Sequence, residues 1–234
     1  MRQSHSKVLP KAWRRGVYET IARRRDIRHF KPTPIPWGTL ARILQAAHHA
    51  PSVGFMQPWN FIVVEDVEVR KKIQAHVEKE RVKASEKFKG KRKEKYLSLK
   101  LEGILEAPIN ICVTCDPNRF GPAVIGRNTI RETDTFSTCC AVQNLWLAAR
   151  AEGIGVGWVS ILKPARLQKL LQIPKTVRPL AYLCLGYVDS FPEKPTLEKI
   201  GWLPRVSLRK LVYFNTWGAS VTAAQGKYLQ EEKT

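Results

Sequence analysis

Residues 51–61 read PSVGFMQPWNF and lead into the apolar run 61–64, which is typical of a short buried strand. Gly54 permits a positive φ or a close backbone approach at this loop. Gln57 and Asn60 can each donate and accept hydrogen bonds. A loop of this kind suits a flat amphipathic ring such as a planar cofactor. From the residue types alone, a buried aromatic corner with satisfied amides is an equal alternative.

Length and composition bound the fold. The chain has 234 residues, of which 44% are hydrophobic, and this predicts one compact domain over residues 1–234. No apolar run approaches the roughly 20 residues that a bilayer span needs, and the first residues lead into no apolar signal region. A cytoplasmic location is the default expectation, with no membrane partner.

The five cysteines are odd in number and lie in apolar segments, a pattern that suits a reducing compartment. Cys112 and Cys115 have a C-x-x-C spacing, but they lie in a run that is typical of a strand. Positions three apart on a strand point to opposite faces. We therefore expect buried thiols rather than a redox or zinc site, and predict no metal site.

Charge is the strongest compositional bias of the chain. Forty basic and twenty acidic residues give a net charge of +20, which favours anionic ligands. Residues 81–100 contain nine Lys or Arg and two Glu. A solvated helix face explains this segment better than a nucleic-acid patch, because its aromatic residues Phe88 and Tyr96 form no stacking series. We predict no specific nucleic-acid partner.

Apolar spacing and turn residues predict an irregular alternation of helices and strands, and hence an α+β fold with a mixed sheet. Asp66 and Asp134 are expected to cap helices, and Gly153 to end the second of these. The predicted helices cover 13–21, 36–49, 66–77, 97–105, 134–153 and 164–171, and the predicted strands cover 61–64, 109–114, 155–160 and 180–185.

Two of these segments have further expectations. The apolar positions of the 134–153 helix include Phe136, Cys140, Leu145, Leu147 and Ala148. The amphipathic helix at 97–105 is either a lid or a dimer-packing element, with equal weight on both.

The segment after Pro204 is too apolar for an exposed tail. Its apolar positions are Leu208, Leu211, Val212, Tyr213, Phe214 and Trp217. We expect an extended arm that packs on a partner subunit.

Three arginines lie within five residues of one another, at Arg24, Arg25 and Arg28. Each guanidinium can hold a phosphate or a ring carbonyl by charge-assisted hydrogen bonds. A solvated basic turn, with Asp26 neutralising its neighbours, is the simpler alternative. The cluster alone is weak support for a site.

Three motifs, taken in their order along the chain, favour a functional site over a solvated basic turn. They are Arg24-Arg25-Asp26-Ile27-Arg28-His29-Phe30, the segment 51–59 and the segment 153–158. Together they resemble the R-x-S-x-R-x-F, P-S-x-x-x-x-Q-P-W and G-x-G-x-W motifs of the nitroreductase-like flavoprotein superfamily. The resemblance covers about residues 17–217, which leaves 1–10 and 220–234 as expected flexible tails. It implies an FMN-dependent fold with a mixed, mainly antiparallel sheet flanked by helices, and a homodimer that exchanges C-terminal arms.

Two departures narrow the resemblance. Asp26 replaces the usual serine of the first motif, and Phe55 replaces the usual asparagine before Q-P-W. At both positions the residue resembles the one found in the 5,6-dimethylbenzimidazole synthase (BluB) family. That similarity implies an oxidoreductase that uses reduced FMN as substrate, requires O₂, and fragments the flavin to 5,6-dimethylbenzimidazole, the lower ligand of cobalamin, and erythrose 4-phosphate.

The same resemblance implies site residues. Asp26 is expected to accept or relay a proton, and Ser160 to hydrogen-bond near flavin N5. Without the resemblance, a strand-end hydroxyl bonded to backbone is the preferred interpretation of Ser160. The expected flavin-binding set is Arg24, Arg25, Asp26, Ile27, Arg28, Ser52, Phe55, Met56, Gln57, Pro58, Asn60, Leu101, Trp158, Val159, Ser160 and Arg205.

Alternative functions remain at this point. An NAD(P)H-dependent FMN nitroreductase would keep its flavin, and a dehalogenating relative is a further option without visible substrate features. A basic nucleic-acid-binding protein on an inactive flavoprotein fold is a third class. It remains open whether NAD(P)H binds directly or acts through a separate flavin reductase.

Overall fold

The computed structural model describes residues 8–229. These residues group into two compact units that divide between Glu193 and Lys194. The predicted flexible tails lie partly outside the described residues, at 1–7 and 230–234. The single-domain assignment for 1–234 stays a prediction.

A four-stranded sheet organises the described part of the first unit. Its strands are β1 (Trp59–Val64), β2 (Ile109–Cys115), β3 (Ile154–Val159) and β4 (Arg178–Tyr187). They run in the order β1-β2-β4-β3, and every neighbouring pair is antiparallel. Asp26 adds an isolated parallel bridge to Val156 on the open edge of β3. The predicted α+β fold with a mixed, mainly antiparallel sheet is confirmed.

Helices cover both faces of this sheet. On one face α2 (Trp37–His48) packs on α5 (Thr133–Ala151), and their buried side chains join those of the sheet in one core. On the other face α3 (Val67–Ser85) and α6 (Pro164–Leu170) close a second core. The remaining helices of this unit are α1 (Lys11–Arg23) and α4 (Gly90–Ser98).

The predicted cap at Asp66 is confirmed, and the one at Asp134 is wrong. Asp66 Oδ1 accepts hydrogen bonds from the backbone N–H groups of Glu68 and Val69 at the start of α3. Asp134 instead lies inside the first turn of α5, where its carboxylate accepts from Thr135 N–H and pairs with Arg178 at 3.0 Å. The buried Asp134 carboxylate is thus paired with a half-exposed arginine and does not cap the helix.

The apolar positions of α5 do not all face the core. Leu145 is fully buried, but Phe136 is 56% exposed and Cys140 is exposed. A helix advances about 100° per residue, so Phe136 lies about half a turn around the axis from Leu145. The buried apolar positions are Ala141, Val142, Leu145, Trp146 and Ala149.

The predicted helix at 97–105 does not form. Helix α4 ends at Ser98, and Leu99 has extended backbone angles. The Arg81 guanidinium donates to the carbonyls of Leu97 and Leu99. A Cβ on Gly103 would lie 2.5 Å from the Phe30 ring, so this non-helical segment packs closely on Phe30. The roles of lid and dimer-packing element stay predictions for a segment that is not helical.

Buried thiols explain the C-x-x-C spacing as expected. Cys112 and Cys115 are both fully buried and unbonded to each other. Burial raises the pKa of the Cys112 thiol to about 12. Neither cysteine is therefore suited to thiolate chemistry.

The second unit contains two short helices, α7 (Thr196–Lys199) and α8 (Ala223–Gly226). Thr222 and Gln225 form a capping box at the start of α8. The rings of Tyr213 and Trp217 stack at 4.9 Å, while Trp217 is 89% exposed. Across residues 8–229, no helix combines the length and apolarity that a bilayer span requires.

Candidate active site

Asp26 is fixed at the open edge of β3. The backbone N–H of Ile27 donates to Val156 O at 3.0 Å. Asp26 Oδ1 accepts a hydrogen bond from the Trp158 backbone N–H at 3.0 Å, and Oδ2 lies 2.5 Å from Arg28 Nη2. The same Arg28 nitrogen donates to Trp158 O at 2.8 Å. Backbone and side-chain contacts thus define one orientation for the carboxylate.

Gly157 explains why this segment approaches β3 so closely. A Cβ at this position would lie 2.1 Å from Ile27 O and 2.6 Å from Arg28 Nη1. No other residue type fits at that distance. The G-x-G-x-W motif and the arginine motif therefore pack directly against each other.

The environment of Asp26 raises the pKa of its carboxyl group. Desolvation by the surrounding protein is the largest cause, and it outweighs the Arg28 charge and the Trp158 N–H, which both favour the ionised form. The Asp26 side chain is still 44% exposed. The carboxylate is thus within reach of a ligand and closer to accepting a proton than an ordinary surface aspartate.

Arg24 and Arg25 differ in what holds them. Arg24 lies over the Trp146 ring, 4.6 Å from its centroid, and is half-buried. Arg25 donates to the carbonyls of Ala22, Arg24 and Glu193, so backbone groups take much of its donor capacity. Of these two arginines, Arg24 has the more available guanidinium.

Ser160 follows β3 directly and is exposed. Its hydroxyl makes no hydrogen bond with any residue between 8 and 229, so the backbone-bonded alternative has no support here. Val159 is buried at 1% exposure, whereas Trp158 is half-buried, with its ring 6.4 Å from that of Trp146. Ser160 therefore stands at an accessible strand end beside the Asp26 cluster.

The 51–58 loop is held in a strained shape by its own atoms. Gly54, Phe55 and Gln57 all have positive φ, at 50°, 54° and 45°. Ser52 Oγ accepts from Gln57 N–H at 3.0 Å, and Gln57 Nε2 donates to Phe55 O at 3.0 Å. Phe55 is consequently turned outward and is 79% exposed.

The adjacent Phe55 and Met56, both expected to bind the flavin, differ in exposure. Met56 is only 1% exposed, and Pro58 is buried as well. The reversal of chain direction at the positive-φ residues sends the two adjacent side chains to opposite sides. Phe55 alone forms the apolar tip.

Arg119 supports the loop and was missed by sequence reasoning. Its Nη1 donates to Gln57 O at 2.8 Å and to Trp59 O at 3.2 Å, and its Nη2 donates to Asn60 Oδ1. Asn60 Nδ2 in turn donates to Thr114 Oγ1 at 3.0 Å. Arg119 lies in the loop after β2, far along the chain, and no spacing pattern points to it.

One protomer does not bring the two halves of the predicted site together. The loop precedes β1 at one edge of the sheet, whereas Asp26 pairs with β3 at the other edge. The Asp26 segment lies one strand position beyond β3, so four inter-strand spacings separate it from β1. These spacings add up to about 19 Å. Leu101 is half-buried in the turn after α4, and Arg205 belongs to the second unit.

The described residues offer no cluster of side chains suited to bind a metal ion. Over residues 8–229, no group of three or more His, Cys, Asp or Glu side chains has an arrangement that could hold a metal ion. His48 accepts a hydrogen bond from Trp59 Nε1 at 3.1 Å and is thereby engaged within the protein.

Comparison with known proteins decides the family. The Nitroreductase family model matches residues 21–187. The chain belongs to the nitroreductase family. A solved member of this fold, oxidised iodotyrosine deiodinase bound to FMN and 3-iodo-L-tyrosine, aligns with a TM-score of 0.68 at 26% identity, covering 86% of this chain and 100% of that one. The predicted nitroreductase-like fold is confirmed.

Within the nitroreductase family, curated relatives point to one branch. The chain is 40% identical to 5,6-dimethylbenzimidazole synthase of Rhodospirillum rubrum, over 83% of this chain and 92% of the relative. It is 35% identical to 5,6-dimethylbenzimidazole synthase of Rhodobacter capsulatus, over 81% and 91%. Rat iodotyrosine deiodinase 1 is 29% identical over 78% of this chain and 65% of that protein. The resemblance to the 5,6-dimethylbenzimidazole synthase family is confirmed.

Proposed function

We propose that the chain is an oxygen-dependent oxidoreductase that converts reduced FMN into 5,6-dimethylbenzimidazole and erythrose 4-phosphate. The relatives named 5,6-dimethylbenzimidazole synthase, at 40% and 35% identity, support this activity. The structural observation that carries it is the placement of Asp26. A carboxylate with a raised pKa lies oriented and accessible beside the exposed Ser160.

The residues present fit a phosphorylated flavin. Arg24 offers a half-buried guanidinium for a phosphate, and Phe55 offers an exposed ring against which a planar group can stack. Gly157 has no side chain, so β3 leaves room for the Asp26 segment next to it. These are the group types that a phosphate, a flat ring and a proton-transfer step require.

In this proposal Asp26 is the proton acceptor. Reduced FMN, when bound, supplies the electrons that react with O₂ and the carbon skeleton that is fragmented. The Trp158 N–H and Arg28 hold the Asp26 carboxylate in one orientation, while desolvation raises its pKa toward the pH of the reaction. Asp26 can therefore take a proton from the substrate and keep it close to the reacting atoms.

Ser160 is the proposed hydrogen-bond donor of the same site. It follows the buried Val159, and its hydroxyl is exposed. A hydroxyl that no neighbouring group engages can rotate to meet a ligand atom. Its role is to orient the reacting part of the flavin and the oxygen that reacts with it.

A second copy of the chain is proposed to complete the site. The loop with Ser52, Phe55, Gln57 and Asn60 and the cluster around Asp26 lie at opposite sheet edges of one protomer. In a symmetric homodimer the loop of one copy can face the Asp26 cluster of the other. The exchanged C-terminal arm and Arg205 as a phosphate ligand belong to this same proposal, and the exposure of Trp217 supports it.

Reduced FMN must come from elsewhere in this scheme. We propose a separate flavin reductase as its source, with NAD(P)H acting on that enzyme. Chemically reduced flavin therefore replaces the reductase in a test.

The deciding experiment mixes the protein with chemically reduced FMN and air. We expect the flavin absorbance to be lost irreversibly and 5,6-dimethylbenzimidazole to be found by chromatography. Simple reoxidation to FMN, with no new product, would contradict the proposal. Turnover of NAD(P)H with a nitroaromatic and an intact flavin would instead favour the ordinary nitroreductase activity.

A further inference from the structure

A basic cleft lies between α3 and α6, on the face of the sheet that the second core occupies. Its volume is about 750 Å³, and it is lined by Lys72, Ala75, His76, Lys79, Glu80, Lys83, Lys163, Ala165 and Arg166. That volume lies in the range of small-ligand sites. None of these residues belongs to the candidate active site.

Helix periodicity creates the basic wall of this cleft. Lys72, His76, Lys79 and Lys83 are spaced by four, three and four residues, which places them along one stripe of α3. Arg166 faces them from α6. Ala75 and Ala165 contribute only methyl groups, so the space between the cations stays open.

The cations of the cleft are largely uncompensated. Lys163 pairs with Glu80 at 3.2 Å, and this pair uses the single carboxylate of the lining. Considering residues 8–229, Lys72, Lys79, Lys83 and Arg166 make no ion pair with a carboxylate. Four like charges around one concavity repel one another, and an anion would relieve that repulsion.

His76 adds an imidazole ring to the lining of the cleft. Its Nε2 accepts a hydrogen bond from the Lys163 backbone N–H at 3.0 Å, so the neutral ring carries its proton on Nδ1. The pKa of His76 is lowered by burial and then by Arg166, Lys163 and Lys79, against the opposing Glu80. The ring thus offers one further donor to an anion.

The lining excludes some ligand classes. It contains no Phe, Tyr or Trp, so it offers no stacking platform for a nucleobase or a flavin ring. Its apolar surface comes from two alanines and from lysine stems. A compact, multiply charged anion matches such a lining better than a planar or hydrophobic ligand.

We propose that the α3–α6 cleft is a binding site for a compact anion with two or more phosphate charges, separate from the flavin site. Lys79, Lys83 and Arg166 hold the anion by charge. The confined volume favours a small molecule over a nucleic acid, whose binding needs an extended basic surface.

Inorganic pyrophosphate is the probe for the test, measured by calorimetry at physiological salt. We expect binding to the wild-type protein and a loss of at least about tenfold in affinity for Lys79→Gln/Lys83→Gln. The matched control Lys87→Gln/Lys91→Gln removes the same charge from exposed positions outside the cleft, and its affinity should stay within about twofold. Circular dichroism checks that each variant is folded.

Three outcomes would overturn the proposal. The first is no pyrophosphate binding to the wild-type protein. The second is binding that Arg24→Gln/Arg28→Gln abolishes and Lys79→Gln/Lys83→Gln leaves intact, which would assign the anion to the candidate active site. The third is a lack of specificity for the cleft. Equal weakening of pyrophosphate binding in both lysine-pair variants would indicate an effect of net charge, and preferential binding of a short DNA duplex would indicate a nucleic-acid ligand.

Discussion

Asp26 and Trp158 are joined by a hydrogen bond of 3.0 Å, in which the Trp158 backbone N–H donates to Asp26 Oδ1. This contact connects the arginine motif to β3, although the two residues lie far apart in the sequence. It orients the carboxylate, and Arg28 holds the other oxygen. One oxygen is thus oriented by the backbone and the other by a neighbouring side chain.

The substitution Asp26→Asn tests the proposed proton acceptor. The amide keeps the size and one acceptor oxygen but cannot take a proton, so we expect flavin binding to persist and product formation to fall at least about 100-fold. Product is measured by chromatography after mixing with reduced FMN and air. Asp189→Asn is the control, because Asp189 is 90% exposed and pairs only with Lys31 among the described residues. An unchanged yield would remove Asp26 from the mechanism.

Features that depend on a few neighbouring residues could be predicted from the sequence. Asp66 caps α3 because a carboxylate next to two free N–H groups is a contact within one turn of the chain. Gly54 has the positive φ that its residue type permits. The three motifs around Asp26, the loop and β3 were recognisable because each is a continuous segment.

Contacts between distant segments were not predictable. Arg119 reaches the loop through tertiary structure alone, and nothing around it in the sequence marks that role. In place of the helix expected at 97–105 the backbone becomes extended at Leu99, and Arg81 of α3 binds the carbonyls of Leu97 and Leu99, a contact that hydrophobic spacing cannot show. The separation of Asp26 from the loop depends on strand order, and strand order is a property of the whole sheet.

Gly157→Ala should separate the Asp26 segment from β3. The added methyl group would meet Ile27 O at 2.1 Å, so we expect a loss of about 3 kcal/mol in the free energy of unfolding. Gly16→Ala is the matched control: Gly16 lies inside α1 with open space around its Cα, and alanine there should add about 0.5–1 kcal/mol. Denaturant unfolding measures both. Equal stability of the two variants would show that the close contact is not maintained in solution.

Arg119→Met tests the support of the loop. The substitution keeps an apolar stem but removes the hydrogen bonds to Gln57 O, Trp59 O and Asn60 Oδ1. We expect a loss of about 2 kcal/mol in stability and a higher KM for reduced FMN, because the loop loses its fixed shape. Arg119→Lys should restore only part of both, since an ammonium lacks the planar fork of donors.

The control for Arg119 is Arg131→Met, which removes an exposed guanidinium from the same loop region. Its stability and KM should match those of the wild-type protein. If Arg131→Met and Arg119→Met behave alike, the effect comes from lost charge and not from the hydrogen bonds to the loop.

His76 predicts a pH dependence of stability. Its pKa is lowered in the folded protein, first by burial and then by Arg166, Lys163 and Lys79. Below the ordinary histidine pKa of about 6.5, the unfolded chain therefore binds more protons than the folded one, and stability falls as the pH falls. From about pH 7.5 to about pH 5.5, the unfolding free energy should fall less in His76→Gln than in the wild-type protein. His49→Gln, at an exposed position, is the control; an identical pH profile for all three proteins would contradict this account.

A hybrid dimer tests whether each site is built from two copies. Asp26→Asn disables the cluster at the β3 edge, and Phe55→Asp disables the loop at the β1 edge; the 79% exposure of Phe55 lets the second variant fold. Each homodimer of a variant should be inactive. A hybrid with one copy of each, isolated through two different affinity tags, has one site with both halves intact and one with both disabled. Its expected rate is about half that of the wild-type dimer. If each site were built within a single copy, both sites of the hybrid would carry a substitution, and the isolated hybrid would form no 5,6-dimethylbenzimidazole.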